Sequence, residues 1–352
     1  MAGPAHNMAV GVHPRGSGGD FLSTLAAVTG AEGFIGSHLV EALVASGARV
    51  RAMVLYNSFG SWGWLESLRP DVLEQVEVVP GDVRDMRSVL EFAADVEVVY
   101  HLAALIAIPY SYRVPHSYLA TNATGTLNVL EAARTLETPR VVHTSTSEVY
   151  GTAQRVPIDE THPLQAQSPY AASKVAADKL AESYHLSFDL PVVTLRPFNT
   201  FGPRQSARAV IPTIVSQIAA GASPLRLGAL EPTRDFTFVN DTAAAFLAVG
   251  SAPAEAVAGR VFNAGTGQEI SIGDLATTIA RLMNRRIEIS QDDVRLRPES
   301  SEVMRLVCDS RSLRKLTGWS PEHDLEAGLR LTIEWFSDPA NLARYKTGLF
   351  NL

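Results

Sequence analysis

Hydrophobic residues along the chain follow two alternating patterns. From Leu25 onward, short apolar, β-prone runs at Leu25–Thr29, Arg49–Leu55, Val76–Val79, Val96–Leu102, Arg140–Thr144 and Val192–Arg196 predict strands. Stretches of helical period between them, at Gly36–Ser46, Arg87–Ala94, Tyr118–Leu136 and Tyr170–Phe188, predict helices. Strands that alternate with helices pair in parallel, because a parallel connection needs a crossover long enough to hold a helix. The expected fold class is therefore α/β, a doubly wound parallel sheet whose ligands sit at the carboxyl ends of the strands.

After Arg196 the alternation decays, with Pro197, Gly202, Pro203, Pro212, Gly221 and Pro224 breaking the pattern. A smaller α/β lobe is expected over 199–234 and 266–345, set beside a first lobe over 25–198. Near 235–265 the chain is expected to return to the first lobe through a short strand, Arg260–Ala264, before helix Ile272–Met283. Two lobes suit 352 residues at roughly 150 residues per domain.

Composition narrows the classes of function. An apolar share of 46% with 19% charged residues is that of an ordinary globular protein. Thirty Lys and Arg against 37 Asp and Glu leave a net charge of −7, which speaks against a broad attraction to nucleic acid or to an anionic membrane. Any anion site must be local. The lone Cys308 forms no intrachain disulfide, no Cys/His cluster has zinc-ligand spacing, and a cytoplasmic location is expected. Residues 1–24, rich in Gly, Pro, Ala and His, lack the apolar core of a secretory signal and read as a flexible extension. No run of about 20 apolar residues predicts a membrane span.

The first strand runs into Gly30-Ala31-Glu32-Gly33-Phe34-Ile35-Gly36 and then an amphipathic helix. Glycines at this point permit a tight turn and a close approach of backbone to a pyrophosphate, while the helix N-terminus offers N–H donors. The Gly-x-x-Gly-x-x-Gly spacing, preceded by Thr29, resembles the short-chain dehydrogenase/reductase superfamily, whose cofactor lobe is a Rossmann fold. Two further motifs follow in order. The resemblance implies that Asp82 meets the adenine amine, that Val83 packs on the ring, and that Leu102, Ala103 and Ala104 line the cofactor; the alternative for Asp82 is a turn or helix cap. A carboxylate about 20 residues after the glycines would hold the ribose 2′-hydroxyl and select NAD. The chain has Tyr56-Asn57-Ser58 there, with no acid and no Arg, so NAD is expected because no basic cluster awaits a 2′-phosphate, and NADP stays open.

Tyr170 and Lys174 form Tyr-x-x-x-Lys, one turn apart on one helix face. A free tyrosine, with a pKa of about 10, is a poor base at neutral pH, and a nearby ammonium is expected to lower it. The strand Arg140–Thr144 leads into Ser145-Thr146-Ser147-Glu148, where the Thr146 hydroxyl can hold a reacting oxygen beside Tyr170. The arrangement resembles the extended NAD-dependent epimerase/dehydratase family. Epimerases of that group carry small or hydroxyl residues where Glu148 stands, whereas nucleotide-sugar 4,6-dehydratases carry an acid. The chemistry accounts for this, because C4 oxidation acidifies the C5 hydrogen and a carboxylate can then remove it. Glucose-type dehydratases resemble Thr-Asp-Glu, and this chain reads Thr146-Ser147-Glu148, so the C6 hydroxyl receives its proton from Glu148 or by relay through Ser147. The alternative is Glu148 as a solvated turn residue.

The segment Arg196 to Arg204 resembles the family's passage from cofactor lobe to substrate lobe, which implies that Asn199 donates to the sugar diphosphate and that Arg204 is part of the substrate site. By the same resemblance Arg234 and Arg297 bind phosphates and nucleotide, a task suited to the planar guanidinium fork. The stretches Tyr56–Leu65 and Leu105–Tyr112 are similar to dehydratases of legionaminic-acid-type pathways that act on nucleotide-linked N-acetylglucosamine, although Trp62 and Trp64 could simply pack a loop. The resemblance also implies a homodimer through helices Tyr118–Leu136 and Tyr170–Phe188, with Leu127, Leu130, Leu180 and Tyr184 contributing contacts. The expected function is thus a nucleotide-sugar 4,6-dehydratase. A 4-epimerase and a 5,6-dehydratase are the alternatives within enzymes, and a non-catalytic cofactor-binding protein is the alternative outside them.

Overall fold

The computed structural model describes residues 24–346, so the expected extension over 1–24 lies outside the described residues except for Thr24. Its framework is a seven-stranded sheet built from β1 (Leu25–Thr29), β2 (Arg49–Leu55), β3 (Val76–Gly81), β4 (Val98–His101), β5 (Val141–Thr144), β6 (Val192–Pro197) and the strand Val261–Ala264. The spatial order is Val261–Ala264, β6, β5, β4, β1, β2, β3, and every pairing is parallel. The return of Val261–Ala264 to β6 agrees with the strand read from the sequence. Order reverses between β1 and β4, where the crevice at the strand ends opens.

Buried residues on both faces explain why these strands read as nearly continuous apolar runs. Alternate side chains serve opposite layers. Ala26 and Val28 of β1, Tyr100 of β4 and Val193 and Leu195 of β6 pack in one core, and Ala27, Val99 and Val192 pack in the other. The first core is closed by α1 (Phe34–Ala45) and by helix Val239–Ser251, whose Ala245, Phe246 and Val249 are fully buried. The second is closed by helices Met86–Ala93, Gly125–Thr135 and Pro169–Phe188.

The smaller part of the fold has its own core, in which Ile211, Ile214 and Val215 of helix Val210–Ala219 meet Leu275 and Ile279 of helix Ile272–Leu282. Leu329 and Phe336 of helix Leu325–Ser337 complete it. Short strands Asn199–Phe201 and Phe236–Phe238 pair in parallel at its border. The stretch 266–345 does not lie wholly with this part, because Leu313 and Trp319 are buried in the first core of the large sheet.

Three sequence expectations need correction. Asp95 takes a left-handed conformation with φ 60°, so β4 starts at Val98 rather than Val96. The predicted helix over Tyr118–Leu136 is continuous but irregular: it starts at Pro115, widens to a π-helical stretch over Leu119–Thr124 and returns to α-helix over Gly125–Thr135. Two contacts mark the wide turn: Thr126 Oγ1 donates to the Asn122 carbonyl at 2.6 Å, and Gly125 lies against Val83 where a Cβ would come within 2.8 Å. The third concerns the expected dimer contacts. Leu130 and Tyr184 are buried inside the protomer, whereas Leu127 and Leu180 pack on the same core with part of their surface left exposed.

Since Phe246 seals the first core from a helix that follows the point where the sequence pattern decays, Phe246→Ala should cost about 3–5 kcal/mol of stability. Urea unfolding measures this, and a cost below about 1 kcal/mol, the scale of surface changes, would show that helix Val239–Ser251 is not part of that core.

Candidate active site

A cleft of about 1280 Å³ runs from the ends of β1 and β2, past the end of β5, to the smaller lobe. At its cofactor end, Gly30 has φ +69°, and a Cβ there would lie 2.8 Å from the Ala103 nitrogen. A Cβ on Gly36 would lie 2.2 Å from the Gly30 carbonyl oxygen, so the turn cannot close with any larger residue. Thr29 locks the neighbouring strand ends together, its Oγ1 accepting from the backbone nitrogens of Leu102 and Ala103, each at 3.1 Å. Helix α1 starts after Gly33 with no side-chain cap, leaving first-turn N–H groups to the cleft, where Phe34 and Ile35 also stand. An uncapped helix end behind glycines that permit close approach fits the pyrophosphate of a nicotinamide dinucleotide.

Val83, Leu102, Ala103 and Ala104 line the same end, as the resemblance implies. Asp82 is there too, but its carboxylate is held by Arg84 through its backbone nitrogen at 2.9 Å and its guanidinium at 2.9 and 3.0 Å. These bonds hold its carboxyl below the ordinary range. The alternative reading of Asp82 as a turn residue therefore describes its contacts in the protein alone.

Helix Pro169–Phe188, which carries Tyr170 and Lys174, owes its start to Ser168, whose Oγ accepts from the Ala171 nitrogen at 3.1 Å, and to Pro169 in the first turn. Tyr170 is buried with its ring edge-on to Tyr118 at 6.3 Å, and Thr146 lies within hydrogen-bonding reach of its hydroxyl. Glu148 is close enough to disfavour ionised Tyr170 electrostatically. A short 3-10 turn, Ser147–Tyr150, sets this geometry, since Thr146 Oγ1 accepts from the Glu148 nitrogen at 3.2 Å. Ser147 is buried beside it at the wall of the cleft. Lys174 Nζ donates to the Thr144 carbonyl at 2.5 Å, and burial lowers its pKa to about 8. The expected lowering of Tyr170 by this ammonium is absent, and burial instead pushes the phenol up. In the protein alone Tyr170 is a neutral phenol at neutral pH, and its ionisation needs further positive charge in the cleft.

Toward the smaller lobe, Asn199 lines the cleft with its Oδ1 buried and without a hydrogen-bond partner among the described residues. Arg234 is buried and donates to Glu302 at 3.1 Å, while Arg297 approaches the same carboxylate at 3.6 Å. Arg234 also lies in the field of Glu148. Arg204 also lines the cleft, and its guanidinium is bound to Glu41 at 2.8 and 3.0 Å and to Ser37 at 3.2 Å, which ties this side of the cleft to α1. Trp64 packs the loop, edge-on to Trp335 at 5.7 Å and stacked with Tyr345 at 6.1 Å.

Two supporting residues escape sequence reasoning. Asn122, at the π-type turn, is buried and bonds the Leu105 backbone at 2.8 and 2.9 Å and Ser173 of helix Pro169–Phe188 at 2.9 Å. Asp178, four residues beyond Lys174, accepts from His143 Nε2 at 3.1 Å, Ser145 Oγ at 2.8 Å and Arg196 at 2.9 and 3.1 Å. Its helical spacing from Lys174 was the available signal, but the strand-end partners come from distant sequence. Burial raises its pKa, but the His143 bond and the charge of Arg196 outweigh that and hold it at about 2. The unfolded chain, with a carboxyl pKa of about 4, binds more protons between those values, so this stabilisation is present above about pH 4 and is lost as pH falls through about 2. Asp178→Asn should lose about 3–5 kcal/mol at neutral pH, because it leaves Arg196 buried without its counter-charge. Thermal unfolding against pH should also be shallower in that variant between about 4 and 2, and an unchanged slope would refute the assignment.

Similarities to known proteins agree with this geometry. The family described as GDP-mannose 4,6 dehydratase matches residues 27–332. A UDP-glucose 4-epimerase of Mycolicibacterium smegmatis is 35% identical over 88% of this chain and 97% of its own length. A dTDP-glucose 4,6-dehydratase of the same organism is 31% identical over 88% and 92%. The crystal structure of DesIV, a dTDP-glucose 4,6-dehydratase from Streptomyces venezuelae with NAD and TYD bound, superposes with a TM-score of 0.81 at 27% identity, covering 92% of this chain and 99% of that one. With the glycine turn, the Thr146–Tyr170–Lys174 group and the match over most of its length, the chain belongs to the NAD-dependent epimerase/dehydratase family of extended short-chain dehydrogenases/reductases.

Proposed function

We propose that the protein is a nucleotide-sugar 4,6-dehydratase that forms a 4-keto-6-deoxy sugar nucleotide. The observation that carries this reading is Glu148, a carboxylate in the cleft within the electrostatic reach of both Tyr170 and Arg234. Bound NAD would supply hydride acceptance from C4 and hydride return to C6. Tyr170 takes the proton of the C4 hydroxyl while Thr146 holds that oxygen, and Lys174 orients the nicotinamide ribose. Glu148 then removes the C5 proton, which the new C4 ketone has made acidic, the C6 hydroxyl leaves as water with a proton from Glu148 or relayed by Ser147, and once hydride has returned to C6 the C5 carbon takes a proton that derives from solvent. Asn199, Arg234 and Arg297 bind the diphosphate and nucleotide. The glycosyl unit is a nucleotide-linked hexose or N-acetylglucosamine; the similarity of Leu105–Tyr112 to amino-sugar dehydratases of the legionaminic type supports the latter, and Leu105 to Tyr110 line the cleft.

A second reading, 4-epimerisation, is favoured by the 35% identity to the smegmatis epimerase. That reaction needs only hydride removal and return at C4 and leaves Glu148 without a task. A 5,6-dehydratase would share the first two steps. Proton NMR of the product separates these outcomes: a methyl doublet with a 4-ketone, an intact hydroxymethyl with inverted C4, or an exocyclic vinyl group. A protein that binds cofactor but does no chemistry has no need of Thr146, Glu148, Tyr170 and Lys174 around one cleft.

We further propose a homodimer. The exposed large apolar residues on the two expected helices are Leu119 and Leu136 on the first, 48% and 38% exposed, and Leu186 and Phe188 on the second, 76% and 53% exposed. Light scattering at micromolar concentration should give about twice the 37.9 kDa chain mass, and a monomeric mass would count against it.

Glu148→Gln should keep C4 oxidation yet block elimination, so reduced cofactor accumulates in a single turnover. Tyr170→Phe should form none. Each should lower product formation about a hundred- to ten-thousand-fold. Turnover of Glu148→Gln at the parent rate, with normal solvent deuterium at C5, would remove the support for dehydration.

A further inference from the structure

The end of β2 carries no acid where an adenosine ribose is ordinarily held, since Tyr56-Asn57-Ser58 follow Leu55. A carboxylate reaches that place from a different element. Glu32, inside the glycine turn after β1, extends to β2, and its Oε1 accepts from the Leu55 nitrogen at 3.0 Å. The loop after β2 holds it from the other side: the Trp64 nitrogen donates to the Glu32 carbonyl at 3.0 Å, and Gly63, at φ +58°, lies where a Cβ would come within 2.8 Å of that oxygen. Glu32 Oε2 is buried and has no hydrogen-bond partner among the described residues. Glu32 lines the cleft together with Gly33, Met53, Leu55, Gly81 and Asp82.

A desolvated carboxylate oxygen without a donor is unfavourable unless a ligand supplies one. We propose that Glu32 holds the adenosine ribose of the dinucleotide, its Oε2 accepting the 2′-hydroxyl, and that it makes the protein select NAD over NADP. A hydroxyl donates to a carboxylate, whereas a 2′-phosphate only accepts and carries like charge. The cations lining that end are already engaged, Arg84 by Asp82 and Arg344 over the Trp64 ring at 5.4 Å. Burial pushes the Glu32 carboxyl up, in keeping with a group that lacks a counter-charge. The inference rests on the family's use of a nicotinamide dinucleotide and is independent of the choice between dehydration and epimerisation.

Calorimetric titration of the full chain, freed of bound nucleotide, with NAD, NADP and 2′-deoxy-NAD tests it without reference to catalysis. The parent should bind NAD at least about tenfold more tightly than 2′-deoxy-NAD, the scale of one charge-assisted hydrogen bond, and NADP more weakly still. Glu32→Gln keeps an oxygen for the Leu55 N–H but removes the charge. It should weaken NAD binding about tenfold, narrow the NAD-to-NADP ratio by at least as much, and leave the unfolding temperature near that of the parent. Equal parent affinities for NAD and 2′-deoxy-NAD would overturn the proposal even if the variant does not fold. So would a parallel loss of NAD and NADP binding with a lower unfolding temperature, which marks Glu32 as a brace for β2 alone.

Discussion

A carboxylate removed from water must be surrounded by donors, and Asp178 meets that requirement by collecting groups from three separate elements. His143 and Ser145 come from β5 and its end, Arg196 from β6, and Asp178 itself from helix Pro169–Phe188 one turn beyond Lys174. Arg196 extends the network to Tyr150, whose hydroxyl donates to Asn263 on the last strand of the sheet. A buried ion pair of this kind adds little net stability compared with apolar packing, but breaking it is costly because a charge is left behind. Its effect is positional. With β5, β6 and the helix tied at one point, Thr146 and Tyr170 have little freedom to separate, and Lys174 is aimed at the Thr144 carbonyl.

The cleft divides its tasks by the kind of group presented. Its cofactor end is made of backbone: glycines, an uncapped helix start and the Thr29 clamp between β1 and β4. Backbone donors bind anions without adding mobile charge, which suits a chain of net charge −7. The substrate end uses side-chain cations, with Arg234 and Arg297 around Glu302. The reactive group lies between, where burial raises Tyr170 and lowers Lys174, so both stay nearer neutral than in water until a ligand changes the local charge.

Fold alone does not distinguish the activities found among its relatives, and identities near 30% are spread over epimerases and dehydratases. The distinction has to come from single side chains. Under the proposed function, Glu148 decides which bonds of the sugar are broken, and under the further inference Glu32 decides which dinucleotide is held. Both owe their positions to short turns, one at the end of β5 and one at the end of β1, where side chains project into the crevice.

Local pattern was sufficient for much of this. The strands Leu25–Thr29 and Arg49–Leu55 were readable to the residue because apolar runs buried on both faces are bounded by glycines and polar turns. Gly30, Gly36, Thr146, Tyr170 and Lys174 were readable because their spacing along one turn or one helix face is itself the constraint. Tertiary structure decided what depends on distant partners. It widened the helix at Leu119–Thr124, since periodicity does not register one wide turn; it bound Arg204 to Glu41; and it buried Leu130 and Tyr184 inside the protomer. It also brought Glu32 to Leu55, 23 residues away, and Asp178 to His143, 35 residues away. Such pairs are set by parallel strand register and by the exclusion of water around charge, and neither leaves a mark on the sequence between the partners.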